Sequence, residues 1–510
     1  MVLKWIVGSK VDHPLADPKQ AKALVAELPP HDYLKALDEI TRWLELLNES
    51  EGFKLDRMFE IAELLDTTAR THQRKLVQDY LGMSRQQKFQ ENKLWTCGYK
   101  FSKALGNSYL SCVRQYQSGA GGAGTVKKQV PLFVARGVRA LAVQVKWTML
   151  RYGPFETNLW SAIGELYGYA EKGGYASAAL TIYAGPQGAS SVENEYLRVM
   201  MVWASSADVL PPLKQEIAER TVAHFVTSFK LAKDPFPGAL YSFDPARDKP
   251  PIRLFGTPAP APHMTYFGPG DAPAQLAGLI AVVEQTGALP STVNLGPPHP
   301  AETVLGVLKH LAVYWSDKPP ARASERRATT ARITVVPGYF ALLDELERDE
   351  SDALNFSVSS AESWVVENVS DNGYGALVPA STTDWIRVGE MIGLQVEGTP
   401  QWGIGLVRRV MRDEHRQYHV GIEIISRSVI MVHIAAPEGD SGEGESAVLL
   451  SGTPDANGEV GLVMRAGRYD PNVTIRIAGR SKSYLFTPSR MMDAGDDFDW
   501  ATFKIEPVAS

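Results

Sequence analysis

The chain has 510 residues, 44% hydrophobic and 22% charged, a composition that buries ordinary cores and excludes a disordered or fibrous protein. Its formal net charge of −6 excludes a surface that is basic throughout, so DNA is not an expected partner and any anion site must be local. Cys97 and Cys112 are the only cysteines, too few for a disulfide framework, and Met1–Lys10 lacks the pattern of a signal peptide, so a cytoplasmic location is expected.

From about residue 18 to 233 the apolar residues recur at helical spacing. Leu34, Leu37, Ile40, Trp43, Leu44 and Leu47 make one stripe among Lys35, Asp38, Glu39, Arg42 and Glu45, and a second run covers Leu55–Leu81 and stops at Gly82. No strand is expected in this half. Trp160, Ile163, Gly164 and Tyr167 have the spacing of the first helix of a tetratricopeptide-type hairpin, with Ala179 and Tyr183 as candidates for the second. Stable arrays need about three repeats and this pattern occurs once, so 1–233 reads as a helical domain, a bundle or a short solenoid.

Prolines then crowd the chain at 235, 237, 245, 250, 251, 258, 260 and 262, positions that no helix interior accommodates. The segment 234–317 reads as a Pro-rich linker or extended strap carrying helices over Ala272–Gln285 and Glu302–Trp315. After Arg332 the period becomes that of strands. Runs beginning at Arg332, Ser363, Ile392, Gly405 and Tyr418 predict an antiparallel sheet closing into a small barrel over 318–433. A further all-β stretch, 434–510, either extends that barrel or forms a second small one. The fold class is α+β, multidomain. No run approaches the roughly 20 apolar residues of a membrane-spanning helix.

Most chemical motifs dissolve on inspection. The glycine-rich 119–124 lacks the lysine that a phosphate loop needs after its last glycine and follows a helix, so it reads as a connector. His415 and His419 lie in a strand hairpin without a third ligand, and no nucleophile context such as Gly-x-Ser-x-Gly occurs, so neither metal, cofactor nor enzyme chemistry is expected. The informative region starts at Lys318. Lys318, Arg322, Arg326, Arg327 and Arg332 stand against the single acid Glu325, in a Pro/Ala/Ser/Thr segment suited to a flexible arm. Arginine forks bind phosphate with paired hydrogen bonds and stack on flat bases, so this is a local anion site.

Arg322-Ala-Ser-Glu-Arg326 has the form Arg-x-x-x-Arg. Asn368-Val-Ser370-Asp-Asn-Gly373 has the form Asn/Asp-x-Ser-x-x-Gly, and Gly405–Val410 with Tyr418–Ile424 supplies a closing hairpin. Together, over about 321–433, these resemble the PilZ domain, a six-stranded β-barrel that binds the bacterial second messenger cyclic di-GMP. The resemblance implies a cyclic di-GMP site in which Arg322 and Arg326, from a cluster with Arg327 and Arg332, grip phosphates and guanine faces. It also implies that Asn368 and Ser370 hydrogen-bond a guanine edge and that Gly373 lets the backbone turn near the ligand. Arg332, nearer the first strand, is an alternative to Arg326 as the second arginine. The segment 341–352 is an acidic insertion, and Arg408, on a strand away from the arm, is expected to be indifferent to ligand. The expected function is a bacterial signalling receptor whose helical region passes the signal to a protein partner; the alternative is a scaffold whose barrel has lost nucleotide affinity.

Overall fold

In the computed structural model the chain forms two compact units, residues 1–208 with 212–320 and residues 321–510 with 209–211. The structure describes residues 13–83, 88–185, 188–256, 259–318, 325–350, 360–378, 385–415, 417–434, 444–451, 453–478 and 483–507. No described helix is long and apolar enough to cross a membrane.

Among the described residues the first unit opens with the helices α1 (Pro18–Ala26), α2 (Tyr33–Glu49), α3 (Leu55–Leu81), α4 (Lys88–Gln117), a single turn α5 (Ala123–Val126), α6 (Val130–Met149), α7 (Leu159–Lys172), α8 (Val192–Ala204) and α9 (Pro212–His224). Side-chain oxygens start several of them: Asp32 accepts from the Lys35 amide at 3.0 Å and Ser191 from the Asn194 amide at 3.0 Å, satisfying donors that a helix start leaves open. The apolar stripe of α2 is buried as its spacing requires, from Leu37 to Leu47. Glycine sets the α4–α6 contact. A side chain at Gly106 would begin 2.6 Å from Leu141, so the two helices approach closely only because none is present.

The tetratricopeptide-like spacing is not a helical hairpin. Trp160, Ile163, Gly164 and Tyr167 do lie buried on α7, but the segment with Ala179 and Tyr183 is not helical; it carries an isolated bridge, Leu180 to Ser190. What lies against Gly164 is Pro245 and Phe243, so the glycine admits a strand segment instead of a second helix. Tyr183 is held through its hydroxyl, which donates to buried Asp66 at 2.9 Å, with Arg70 stacked 3.6 Å above its ring. Burial raises the Asp66 carboxyl against the pull of Arg136 and of the Tyr109 and Tyr183 hydroxyls.

The Pro-rich segment is not a free linker. Strands β1 (Lys230–Ala232), β2 (Tyr241–Phe243), β3 (Ile252–Arg253) and β4 (Thr265–Gly268) form a four-stranded antiparallel sheet in the order β1-β4-β2-β3. Prolines fall between strands of two to four residues, too short to show a period. Helices α10 (Ala272–Thr286) and α11 (Ala301–Tyr314) follow.

The second unit holds two closed six-stranded barrels. The first comprises β5 (Arg327–Pro337), β6 (Glu362–Ser370), β7 (Gly373–Val378), β8 (Met391–Val396), β9 (Trp402–Arg412) and β10 (Tyr418–Ser426). The second comprises β11 (Ile430–Ile434), β12 (Glu445–Leu449), β13 (Glu459–Arg465), β14 (Ile475–Ala478), β15 (Ser483–Ala494) and β16 (Phe498–Pro507). The C-terminal stretch is thus a separate barrel, with the same connectivity as the first. In each, the first strand pairs with the second and fourth, the third with the second and sixth, and the fifth with the fourth and sixth.

The last two residues of the acidic insertion lie outside the described ones; residues 341–350 belong to a helix, α12 (Gly338–Glu350), between β5 and β6. Its Tyr339, Leu342, Leu343 and Leu346 share one core with Met391, Trp402, Ile404 and Leu406 of the first barrel and Val448, Val463 and Phe498 of the second. Each such side chain contributes roughly 1.5–3 kcal/mol by leaving water. The second barrel also holds the helix start: Asp497 accepts from the Tyr339 amide at 2.8 Å, and the Tyr339 hydroxyl donates to the Ser446 carbonyl at 2.6 Å.

Candidate functional site

Strand β6 carries Asn368 and Ser370, with β5 on one side and β7 on the other. Both ladders break register at this point: the β5 pairing jumps between Ala328 and Ala331, and the β7 pairing between Val366 and Asn368. Such bulges re-aim side chains. Asn368 therefore lies opposite Ala328 on one strand and Gly375 on the other, while Arg327 lies opposite Val369. Arg326 precedes the first residue of β5. Arg326 and Arg327 are exposed and make no ion pair with the described residues. The structure brings these two cations and the polar pair to one end of the barrel.

The arginine cluster is otherwise divided. Arg322 lies outside the described residues. Strand β5 begins at Arg327, so Arg327 and Arg332 belong to the sheet and not to a flexible arm. Arg332 is paired with Val365 and donates to the Ser363 hydroxyl at 3.2 Å. Asn368 is three steps along β6 from Val365, roughly 10 Å at strand rise, so Arg332 is set apart from Asn368 and Ser370.

Asn368 is the unusual side chain. Its amide lies over the bare Cα of Gly375, where any Cβ would sit 2.6 Å from both amide heteroatoms, and its Oδ1 is buried without a hydrogen-bond partner. An unpaired buried acceptor costs about 1–3 kcal/mol, a penalty removed when the amide turns to meet a donor. Turning it breaks no hydrogen bond at Oδ1. Ser370 donates to the Gly373 carbonyl at 3.3 Å. Gly373 itself is required by its neighbour strand, since a side chain there would collide with the Ile422 carbonyl of β10.

The turn between β6 and β7 is pinned from outside. Arg427 donates to the Asp371 carbonyl at 2.9 Å and to the Tyr374 hydroxyl at 3.3 Å, and the Ile424 amide donates to the Asn372 carbonyl at 2.9 Å. Sequence reasoning missed Gly375 and Arg427. The first was legible as a second glycine two residues beyond Gly373; the second is a lone arginine between serines, with no signal of its own. Arg408 is also less remote than expected. It donates to Glu423 at 2.6 Å and to Asp493 of the second barrel at 3.0 Å, and Glu423 pairs with Gly373 in the ladder. Burial works against the Arg408 charge, but the two carboxylates outweigh it and raise its pKa. Arg408 thus cancels an acid at the edge of the site. His419 faces Glu367 at 3.4 Å and Asp413 at 3.5 Å, and no metal-holding cluster occurs among the described residues.

The Asn-x-Ser-x-x-Gly hairpin and the strands that follow it have a counterpart among protein families. Residues 345–429 match the family model described as the middle PilZ domain of the cyclic-di-GMP receptor FimW. The chain is a PilZ-domain protein. Residues 19–235 match the model for the N-terminal domain of the same receptor, so the two matches together take in more than half of the chain. No curated protein and no solved structure matches it. The PilZ match starts inside α12 and stops before β11, so it leaves out β5 with its arginines and the whole second barrel.

Proposed function

We propose that this PilZ-domain protein is a cytoplasmic receptor that binds cyclic di-GMP on its first barrel. Arg322, Arg326 and Arg327 grip the phosphates and guanine faces, Asn368 and Ser370 meet a guanine edge, and no chemistry is done on the nucleotide. One observation carries the reading: uncommitted Arg326 and Arg327 stand at the start of β5, which pairs with the end of β6 that carries the buried, unsatisfied Asn368 acceptor. A dianionic ligand with two purines requires cationic forks and a polar rim, and both are supplied there. Arg332, engaged with Ser363, is left out of the contact set.

The signal passes to a protein partner through the helical unit, the part that matches the receptor's N-terminal domain. Calorimetric titration of the full chain with cyclic di-GMP tests the binding. A saturable heat that disappears in the Arg322/Arg326/Arg327 triple alanine variant supports it; equal affinity in wild type and variant leaves a scaffold whose barrel only makes protein contacts. Hydrogen exchange with and without ligand tests the transmission, which requires altered protection at some surface of the helical unit. Protection confined to 325–434 would remove that step.

A further inference from the structure

Along the outer face of the first barrel, the ladder sets four residues in one row across four neighbouring strands: Asn368 on β6, Gly375 on β7, Gly421 on β10 and Arg409 on β9. The two central positions are bare. Neither glycine has a positive φ, so backbone conformation does not require them; what they provide is space beside the strand, which the Asn368 amide fills at Gly375 and Arg409 borders at Gly421. At about 4.8 Å per strand, the row spans roughly 14 Å, a reach suited to a ligand with two purines. Arg409 owes its place to a bulge. Gly421 pairs with Arg409 and Ile422 with Val407, which leaves Arg408 unpaired between them and turns both arginines outward. Arg408 is committed to Glu423 and Asp493, whereas Arg409 is exposed and has no ion pair with the described residues.

The second barrel repeats this row with other chemistry. Thr502 of β16 pairs with Arg490 and Phe503 with Pro488, leaving Ser489 unpaired, so the bulge falls at the same step of the fifth and sixth strands. Thr502 pairs in turn with Gly461 of β13, which accepts from the Leu450 amide at 2.9 Å. A Cβ on Gly461 would lie 2.7 Å from the Leu450 side chain, as one on Gly375 would lie 2.6 Å from that of Asn368. The rows therefore correspond as Asn368 to Leu450, Gly375 to Gly461, Gly421 to Thr502 and Arg409 to Arg490. The bulge, one glycine and the arginine are kept; the amide has become aliphatic and one bare position is filled.

We propose that Arg409, outside the arginine arm and the Asn-x-Ser-x-x-Gly hairpin, is a further cationic contact for the nucleotide at the far end of the glycine row, and that its counterpart Arg490 takes none. The proposal rests on the reading of the first barrel as the cyclic di-GMP site. An arginine fork over a bare sheet face can pair with a phosphate or stack on a base, but only where the other end of the row also holds the ligand. Leu450 offers no donor or acceptor from its side chain.

The test is titration of the full chain with cyclic di-GMP for wild type, Arg409→Ala, Arg409→Lys and Arg490→Ala. Arg409→Ala is expected to lose ten-fold or more in affinity and to show a shallower dependence on salt, with an unchanged melting temperature because the side chain has no structural partner. Arg409→Lys, which keeps charge without the fork, should fall between. Arg490→Ala should match wild type in affinity and stoichiometry. Wild-type affinity and salt dependence in Arg409→Ala would overturn the contact, and a binding event lost in Arg490→Ala would overturn the assignment of the second barrel. Absence of any heat for wild type would instead remove the underlying reading of the first barrel.

Discussion

Arg326 and Arg332 make the sharpest contrast between single residues, because the sequence offered them as alternatives and the sheet separates them. Arg326→Ala should weaken cyclic di-GMP binding by about 1.5–3 kcal/mol, the usual worth of a hydrogen bond to a charged group, while Arg332→Ala should change it by less than about 0.5 kcal/mol. Calorimetry on the two variants decides it, and the reverse order would move the grip to the middle of β5. Type and spacing nominated the arginines, Asn368, Ser370 and Gly373 as candidates. What spacing did not convey is pairing: the bulges that place Asn368 between Ala328 and Gly375 arise from neighbouring strands. A second residue-scale prediction concerns His13. Its Nδ1 accepts from the Leu15 amide and its Nε2 lies 3.0 Å from the Trp43 carbonyl, so the ring is neutral, and burial lowers its pKa below the usual 6.5. A lowered value in the folded state means that the contribution is complete above about pH 6.5 and is lost as pH falls through the folded pKa. Denaturation of the full chain at pH 7.5 and 5 should show this loss, with a flatter profile for His13→Gln.

At the scale of elements, the strands β5, β6, β8, β9 and β10 were announced by β-branched runs, but β7 was not. Its Gly373-Tyr-Gly375-Ala reads as a turn by composition, and only pairing with β6 and β10 makes it a strand. The Pro-rich sheet was hidden for the same reason, since strands of two to four residues show no period. The acidic segment illustrates a different blindness: its charge was conspicuous, while Tyr339, Leu342, Leu343 and Leu346 at helical spacing are what dock α12. Leu342→Ala should therefore cost about 2–5 kcal/mol, the usual range for a buried leucine truncated to alanine. Because that core draws on both barrels, the loss should appear as a downward shift of one common melting transition. Two transitions, with only one displaced, would show that the barrels unfold independently.

At the scale of the whole molecule, the change of apolar period after Arg332 and the closure of both barrels predict that residues 321–510 fold without the helical unit. Circular dichroism of that fragment should show strand signal and a cooperative melt; lack of both would move the boundary. A fragment cut at 345–429 should instead aggregate, because removing β5 opens the barrel and leaves β6 and β8 with unpaired edges. The cap on α12 carries a further consequence, for the order in which the protein comes into being. Asp497 follows Tyr339 by 158 residues. At about 5–20 residues per second, a ribosome takes roughly 8–30 s to supply it. Within that interval the last strand of the first barrel is finished at Ser426, while the apolar face of its inserted helix still awaits Val448, Val463 and Phe498. The nascent chain thus passes through a stage in which its first barrel is fully encoded yet open to chaperones and proteases. A premature stop just before Asp497 would leave every residue of the first barrel intact and still deprive it of its seal.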